Sequence, residues 1–545
     1  MTSSKSLQKL PPGPPPLAPP AVPKRAPWRA DSRMLNRLAI GVPMAIAAVL
    51  TLLEINGRSI SFDEAATLTI AHQHGSALGA AIAHDGGNMS GYYLLLHLLM
   101  SAFGDGELML RLPSAIAAVA TVGFVGAIAL RLFGRRTAAA AGLLCAVSLP
   151  LVFWAQNARG YALMVAFVCA AYLVLVTLDE QVCPAVSSGS QARLLLWAAF
   201  AISMTLATYA SFVAVLVVPA QLAALCARSR RARLRPFLLA VFAYAVLCTP
   251  LIVLAAQRGS GQLFWVPRPT REIEKQVLES LTSAGLQPSF QATATTMLLM
   301  ALTIVALLVI AVGFVRAHRR GESAWGGAVI LTWLAVPVTL SFLYSLVAQP
   351  IFLPRNLLMS VPAVALVLAA GLRSPPLSKR TALGLLAVVL LLRGAQVIPS
   401  YSSSPEPWQQ AAAMVLKQAR PGDCVAFYPL DGRMAFQYYF ARSRDGRAPS
   451  EILPIAPWYS TQIFVERYYV LSPAQIAYRG QGCRRLWFVT SHEGQRDGPA
   501  ASQEHFARFK VLSARLEHAF GDAPVRKLGY AAAIHIQLLP GPLKP

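Results

Sequence analysis

Charge is scarce in this chain. Only 13% of its 545 residues are Asp, Glu, Lys or Arg, against 55% hydrophobic, and the mean hydropathy is +0.51. A soluble protein of this length needs far more surface charge, so water is excluded as the main solvent. Acids are scarcest: 24 Asp and Glu face 48 Lys and Arg, for a formal charge of +24. No continuous basic patch exists, which argues against nucleic acid as a partner. The cations fall in short clusters between apolar runs, the pattern of the positive-inside rule. CxxC pairs are absent, which removes zinc-ribbon and thioredoxin-like chemistry. Four of the seven cysteines (Cys145, Cys169, Cys226, Cys248) lie in apolar runs, and Cys183 lies in a short loop. A signal peptide is missing too, because residues 11–27 carry too much proline for a helix or an apolar core. They read as a disordered, partly polyproline II tail.

What is present is a series of about eleven apolar spans. They cover roughly 38–53, 112–132, 137–154, 161–178, 194–208, 212–226, 237–256, 294–315, 325–347, 356–372 and 381–397. Lys24, Arg25, Arg29, Arg33 and Arg37 precede the first, so residues 1–37 form a cytoplasmic tail and residues 56–110 a long first external loop. Two apolar pieces of that loop, 65–71 and 92–103, are too short to cross about 30 Å of hydrocarbon and read as interfacial helices. Spanning at 92–103 would invert every later basic cluster, including 228–235 (RSRRARLR) and 316–320 (RAHRR).

Residues 400–545 change character, with charge, aromatics and Pro/Gly punctuation. Helices are expected over 408–419, 434–440 and 503–520, and strands over 423–428, 485–490 and 531–538. The fold class is therefore an α-helical polytopic membrane protein, 38–399, with a C-terminal extracytoplasmic α/β domain, 400–545. Cys424 and Cys483 both abut predicted strands; a disulfide and a pair of buried thiols are the alternatives.

Four stretches could carry chemistry. Asp63-Glu64 follows the first span; acids there suit a helix N-terminus, and equally a proton-accepting site. His84-Asp85-Gly86-Gly87-Asn88 runs into Tyr92-Tyr93-Leu94-Leu95-Leu96-His97. Four histidines (His72, His74, His84, His97) share this loop, so a divalent metal is an open alternative, although His72 and His74 would face different ways on a helix. Gln156-Asn157-Ala158-Arg159-Gly160-Tyr161 and Leu353-Pro354-Arg355-Asn356 put arginines at external span ends. Arg258, Arg268 and Arg393 are also external. Cations there run against the topological bias; snorkelling and an anionic lipid phosphate both account for them.

Together these motifs, with Phe103-Gly104-Asp105-Gly106-Glu107-Leu108-Met109-Leu110-Arg111-Leu112-Pro113-Ser114-Ala115, resemble the GT-C glycosyltransferases. The similarity is to the bacterial family 39, protein-mannosyltransferase-like group, which includes aminoarabinose and arabinofuranosyl transferases. It is dense over 58–180. Trp408-Gln409-Gln410-Ala411-Ala412 and Pro421-Gly422-Asp423 resemble the start of the group's soluble domain. The resemblance implies sugar transfer from a polyprenyl-phosphate sugar to a glycan, lipid or protein acceptor, outside a cell membrane crossed many times. Asp63 would be the general base and Glu64 would orient it or contact the acceptor. Arg159 and Arg355 would hold the donor phosphate, and His84, Asp85 and Tyr92 would line the substrate site. A lipid-linked sugar flippase and an oligosaccharide ligase are the rival functions; a flippase would be expected to show repeated spans, and the chain has none.

Overall fold

The computed structural model describes residues 28–179, 190–227, 231–259, 266–286, 296–319, 324–372, 378–443, 449–457, 459–530 and 532–541. The proline-rich stretch, Cys183 and Trp265 lie outside them.

Every segment expected to span is helical. Helix α1 (Trp28–Leu52) starts ten residues before the expected first span, so Arg33 and Arg37 sit on its early turns. The external loop folds as α2 (Phe62–Ala71), α3 (Gly75–His84) and α4 (Ser90–Phe103). Then come α5 (Glu107–Phe133), α6 (Arg135–Ala146), α7 (Leu149–Ala155), α8 (Tyr161–Thr177), α9 (Ser190–Ala210) and α10 (Val217–Ala227). Next are α11 (Arg231–Leu247), α12 (Thr249–Arg258), α13 (Arg271–Thr282), α14 (Thr296–Arg319), α15 (Trp325–Val347), α16 (Val361–Gly371) and α17 (Lys379–Ser400). Six described helices are long and apolar enough to cross a membrane, and two pairs, α6–α7 and α11–α12, form spans bent by 59° and 53°. The segments Tyr161–Thr177, Phe212–Ala227 and Leu298–Gly313 are shorter apolar helices, and so is α4.

Close backbone approach holds the bundle together. A side chain at Gly160 would run into the Ala210 carbonyl at the end of α9, so only glycine lets α8 and α9 meet there. Arg393 on α17 shows why one external cation resists the charge bias. It is buried and donates to the carbonyls of Leu144 (2.6 Å) and Thr282 (3.2 Å). Those carbonyls lie in the last turns of α6 and α13, where helix dipoles put partial negative charge. Anionic substrate is not needed to explain this arginine.

The C-terminal region is a five-stranded sheet in the order β2-β1-β3-β5-β4. Strands β1 (Asp423–Tyr428), β2 (Ser450–Leu453) and β3 (Arg485–Thr490) are parallel, while β5 (Ile534–Leu539) runs antiparallel to β3 and to β4 (Arg526–Leu528). Helices α18 (Trp408–Gln418), α19 (Gly432–Phe440), α20 (Gln462–Val465), α21 (Pro473–Arg479) and α22 (Ala500–Phe520) complete it. Both central strands bury nearly every residue, as a two-sided parallel layer requires. Cys424 and Cys483 form a disulfide with Cα atoms 5.5 Å apart. The expected strands at 423–428 and 485–490 have those bounds. The short β2, β4, α20 and α21 gave no readable periodicity.

Candidate active site

The start of α2 decides which of the two adjacent acids does what. Ser61 caps the helix: its Oγ accepts the Glu64 N–H, and its own N–H donates to Glu64 Oε2 at 3.0 Å. Glu64 is thereby turned inward and is only 2% exposed. Arg111 on α5 grips it through Nε (2.9 Å) and Nη2 (3.2 Å), and the Ala158 N–H adds a third bond at 2.9 Å. Burial works to raise the Glu64 carboxyl, but Arg111 and these hydrogen bonds hold it below its usual range. Arg111 also donates to the carbonyls of Ile55, Arg58 and Ser59. Glu64 is thus the centre of a buried knot; of the two roles expected for it, orienting Asp63 and contacting the acceptor, this burial fits the first.

Asp63, one step of about 100° round the helix, faces a different environment. Arg355 Nη1 donates to its Oδ2 at 2.8 Å. Arg159 Nη1 reaches the Asp63 carbonyl at 3.4 Å and Thr67 Oγ1 at 3.1 Å. Burial pushes the Asp63 carboxyl up. Arg159, then Arg355, His492 and Arg467 outweigh that and bring it to about 2. Burial opposes the charge of Arg159, but Asp63, with Tyr93, Tyr161 and Asp85, together outweighs this and raises its pKa. Arg159 Nε is buried and has no hydrogen-bond partner among the described residues.

The turn between α7 and α8 shows how the sequence aims Arg159. Gln156 donates to the carbonyls of Thr51 (3.2 Å) and Leu53 (2.6 Å) and accepts from Arg58 Nη2 (2.9 Å). Arg58 in turn lies over the Phe153 ring, 4.0 Å from its centroid. Gln156 anchors, Ala158 holds Glu64, Arg159 faces Asp63 and Gly160 admits α9. Arg355 is fixed just as firmly, in the 3₁₀ turn Pro354–Ser360. The N–H groups of Ile351 and Phe352 donate to Ser345 Oγ, and Asn356 Nδ2 donates to the Ile351 carbonyl, all within 2.9 Å.

Asp85 ends α3 and accepts from Tyr93 Oη at 2.8 Å. Both lie within electrostatic reach of Arg159, so Asp85 belongs to the same group as Asp63. Tyr92, expected to line the substrate site, is fully buried and bonds the Leu110 carbonyl (2.9 Å) and Ser114 (3.0 Å) between α4 and α5. Its hydroxyl is thus committed to the α4–α5 seam, and it is the equally buried Tyr93 that bonds Asp85. His84 stacks on Phe464 of the soluble region. Burial, then Arg258, keeps its imidazole below the usual range. The other loop histidines are structural: His72 pairs with Asp105 (3.3 Å), and His74 meets the edge of His97. Among the described residues no three His, Cys, Asp or Glu side chains gather into a metal site.

Sequence reasoning missed half of the site. Ligands of α/β sheets bind outside the carboxyl ends of parallel strands. Here those ends present Asp431 after β1 and His492 after β3, and what lies against them is Phe62. His492, in the left-handed region at φ 56°, packs on the Phe62 ring at 4.8 Å. Arg467 sits 5.2 Å over the same ring and pairs with Asp431 at 2.6 Å. Glu406 Oε2 accepts the Phe62 N–H at 2.6 Å and Trp408 Nε1 at 3.2 Å. Burial, with a contribution from Asp63, pushes Glu406 up to about 7 against the pull of the Phe62 N–H. Burial and Arg467 bring His492 down to about 4. No local signal marks these residues, because their partner lies hundreds of positions away.

The comparisons with known proteins agree with this architecture. Residues 90–254, less than half of the chain, match the family described as dolichyl-phosphate-mannose-protein mannosyltransferase. No curated protein is matched by sequence. The chain is similar in structure to ArnT from Cupriavidus metallidurans in its apo state, at 13% identity and a TM-score of 0.55, covering 92% of this chain and 99% of that one. The same protein bound to undecaprenyl phosphate aligns at 14% identity and a TM-score of 0.52, over the same shares. The chain is a multi-span membrane protein with the GT-C glycosyltransferase fold.

Proposed function

We propose that the chain transfers a sugar from a polyprenyl-phosphate donor to a hydroxyl of an extracytoplasmic glycan, lipid or protein, with Asp63 as general base. The observation that carries this is the meeting of Asp63, Arg355 and Arg159, from three distant segments, within hydrogen-bond reach. Undecaprenyl phosphate in the ArnT structure supports a lipid phosphate as the anion those arginines take. The buried, unpartnered Nε of Arg159 supplies a donor for such an oxygen.

In the reaction the acceptor oxygen attacks the anomeric carbon of the donor sugar. The bond from that carbon to the phosphate oxygen breaks, and its electron pair leaves with the phosphate. Arg159 and Arg355 stabilise the growing charge, and Asp63 takes the acceptor proton. Attack opposite the leaving phosphate inverts the anomeric centre. Asp85, held by Tyr93, borders the same space and orients sugar hydroxyls. The basic inner loops support an outward-facing site, a cytoplasmic N-terminus and an extracytoplasmic C-terminal domain.

The test is polyprenyl-phosphate release from membranes containing Asp63→Asn. Loss of a general base lowers turnover by about 10²–10⁴-fold. Unchanged release would remove Asp63 from that role.

A further inference from the structure

The contact between Asp63 and Arg355 poses a difficulty for the chemistry. A carboxylate held near 2 is ionised at neutral pH, yet it is a poor proton acceptor, because general-base efficiency rises with basicity. Arg159 and then Arg355 keep it weak, and Arg355, the one bonded to the carboxylate, is also a group that should bind the donor. One arginine fork cannot fully satisfy both anions at once.

We infer that Arg355 exchanges partners during each cycle: without donor it holds the Asp63 carboxylate, and the donor phosphate then captures it and releases Asp63 as the base. This rests on the reading of Arg355 as a phosphate ligand. Three observations favour exchange over permanent pairing. First, the pair is reachable, its side chains being 24% and 36% exposed, whereas the Arg111–Glu64 pair at 1% and 2% is sealed. Second, the backbone around Arg355 is pinned through Ser345, Asn356 and the buried Leu357 and Met359. Only the side chain has to swing. Third, Arg159 donates to the Asp63 carbonyl and to Thr67 Oγ1, whereas Arg355 donates to the carboxylate. Arg159 can keep α2 in place while Arg355 moves.

The consequence is a fixed order of binding. An acceptor arriving first meets a carboxylate that is already occupied. When the donor arrives, its phosphate removes a cation from Asp63 and adds a negative charge beside it. Both changes raise the basicity of the carboxylate. Exchange therefore couples donor occupancy to base strength, and the donor binds first.

The experiment measures binding of undecaprenyl phosphate to the purified full-length protein in detergent, with no acceptor present. If the lipid phosphate must win Arg355 from Asp63, then Asp63→Asn binds it about 3–10-fold tighter than the natural protein while turning over poorly. Asp105→Asn removes an acid that pairs with His72 and Arg442 and that the mechanism does not use, and should leave affinity within about twofold. Arg355→Ala should weaken binding about tenfold or more. Tighter binding confined to the Asp63 variants, with Asp63→Ala as the second, supports exchange. Equal or weaker binding by the Asp63 variants, with Arg355→Ala still weakened, overturns exchange but leaves the phosphate role intact. An equal gain from Asp105→Asn also overturns it, since bulk charge relief would then suffice. Unchanged affinity in Arg355→Ala overturns the phosphate role itself, and exchange with it.

Discussion

The backbone N–H of Phe62 ends on the carboxylate of Glu406, 344 residues away, at 2.6 Å. This is one of several bonds by which the soluble region holds the segment leading to Asp63. The Ile60 N–H donates to Tyr439 Oη at 2.6 Å, the Ser59 N–H to Ser404 Oγ at 3.1 Å, and the Gln409 N–H to Ser59 Oγ at 2.9 Å. Ser59 through Phe62 are thus pinned mainly by one side of the molecule, and Asp63 is the next residue. The C-terminal region therefore holds the backbone that leads to the proposed base.

Removing the Glu406 acceptor should loosen Asp63 without touching the donor arginines. Glu406→Ala is expected to lower kcat about 10–100-fold while the donor KM stays near that of the natural protein, because small misplacements of a reacting group are costly. Glu406→Gln keeps an oxygen for the Phe62 N–H and should recover most of that loss. Steady-state kinetics normalised to the folded fraction of each purified variant, read from size-exclusion chromatography and thermal unfolding, separates positioning from a folding defect, whose rate loss would only match the loss of folded protein.

The two adjacent acids should respond in opposite ways. Glu64→Gln strands Arg111 in a sealed pocket; breaking a buried pair costs about 3–5 kcal/mol. The variant should unfold at clearly lower temperature or fail to accumulate in membranes. Asp63→Asn breaks a half-exposed pair, which costs about 0–1 kcal/mol. It should accumulate normally and melt near the natural temperature while losing transfer. Thermal unfolding in detergent, read beside activity, checks both.

This division of labour was legible in the sequence, though not from the acid pair itself. Ser61-x-x-Glu64 is a capping-box pattern, and it assigns Glu64 to its own helix start. The spans were readable because apolar length is a local property, and β1 and β3 because continuous apolar runs between turns are local too. Tyr92 and Tyr93 are indistinguishable in a motif, since both are buried and only the rotation of α4 against α5 decides which bonds α5 and which bonds Asp85. Arg393 looked like a phosphate ligand because the carbonyl ends of α6 and α13 that neutralise it come together only in the fold. Glu406, Arg467 and His492 had no signal at all. Each matters through Phe62 or Asp63, and such long-range pairings leave no periodicity.

The titration of Glu406 gives a stability signature. Its carboxyl moves from 4.5 to about 7 on folding, so between those values the unfolded chain is ionised while the folded one still carries the proton. The folded state binds more protons, and stability falls as pH rises through that window. Asp431, raised by burial from 3.8 to about 6, acts with the same sign. His492, lowered by burial and Arg467 from 6.5 to about 4, acts oppositely, costing stability as pH falls from 6.5. The isolating comparison is therefore Glu406→Gln against the natural protein. Glu406→Gln should lose less stability between pH 5 and pH 8, by up to about 3 kcal/mol. Parallel melting curves across that range would show that Glu406 does not change its pKa on folding.

The disulfide between Cys424 and Cys483 ties the ends of β1 and β3 that lie opposite the site. It closes a loop with a sequence separation of 59, which in the chain-entropy view confines the unfolded state by about 4 kcal/mol. Both cysteines are buried, Cys424 in β1 and Cys483 two residues before β3. Reduction frees the chain between them but leaves the ladder from Asp423–Arg485 to Tyr428–Thr490 intact. Paired serine substitutions should lower the unfolding temperature of the soluble region while the membrane helices melt as before. Because Asp431 and His492 follow the tied strands, activity near the new transition should fail before helix content does. Circular dichroism and transfer assays on the same heated samples provide the check. Coincident loss of both at the natural temperature would mean the bridge contributes nothing to holding the site.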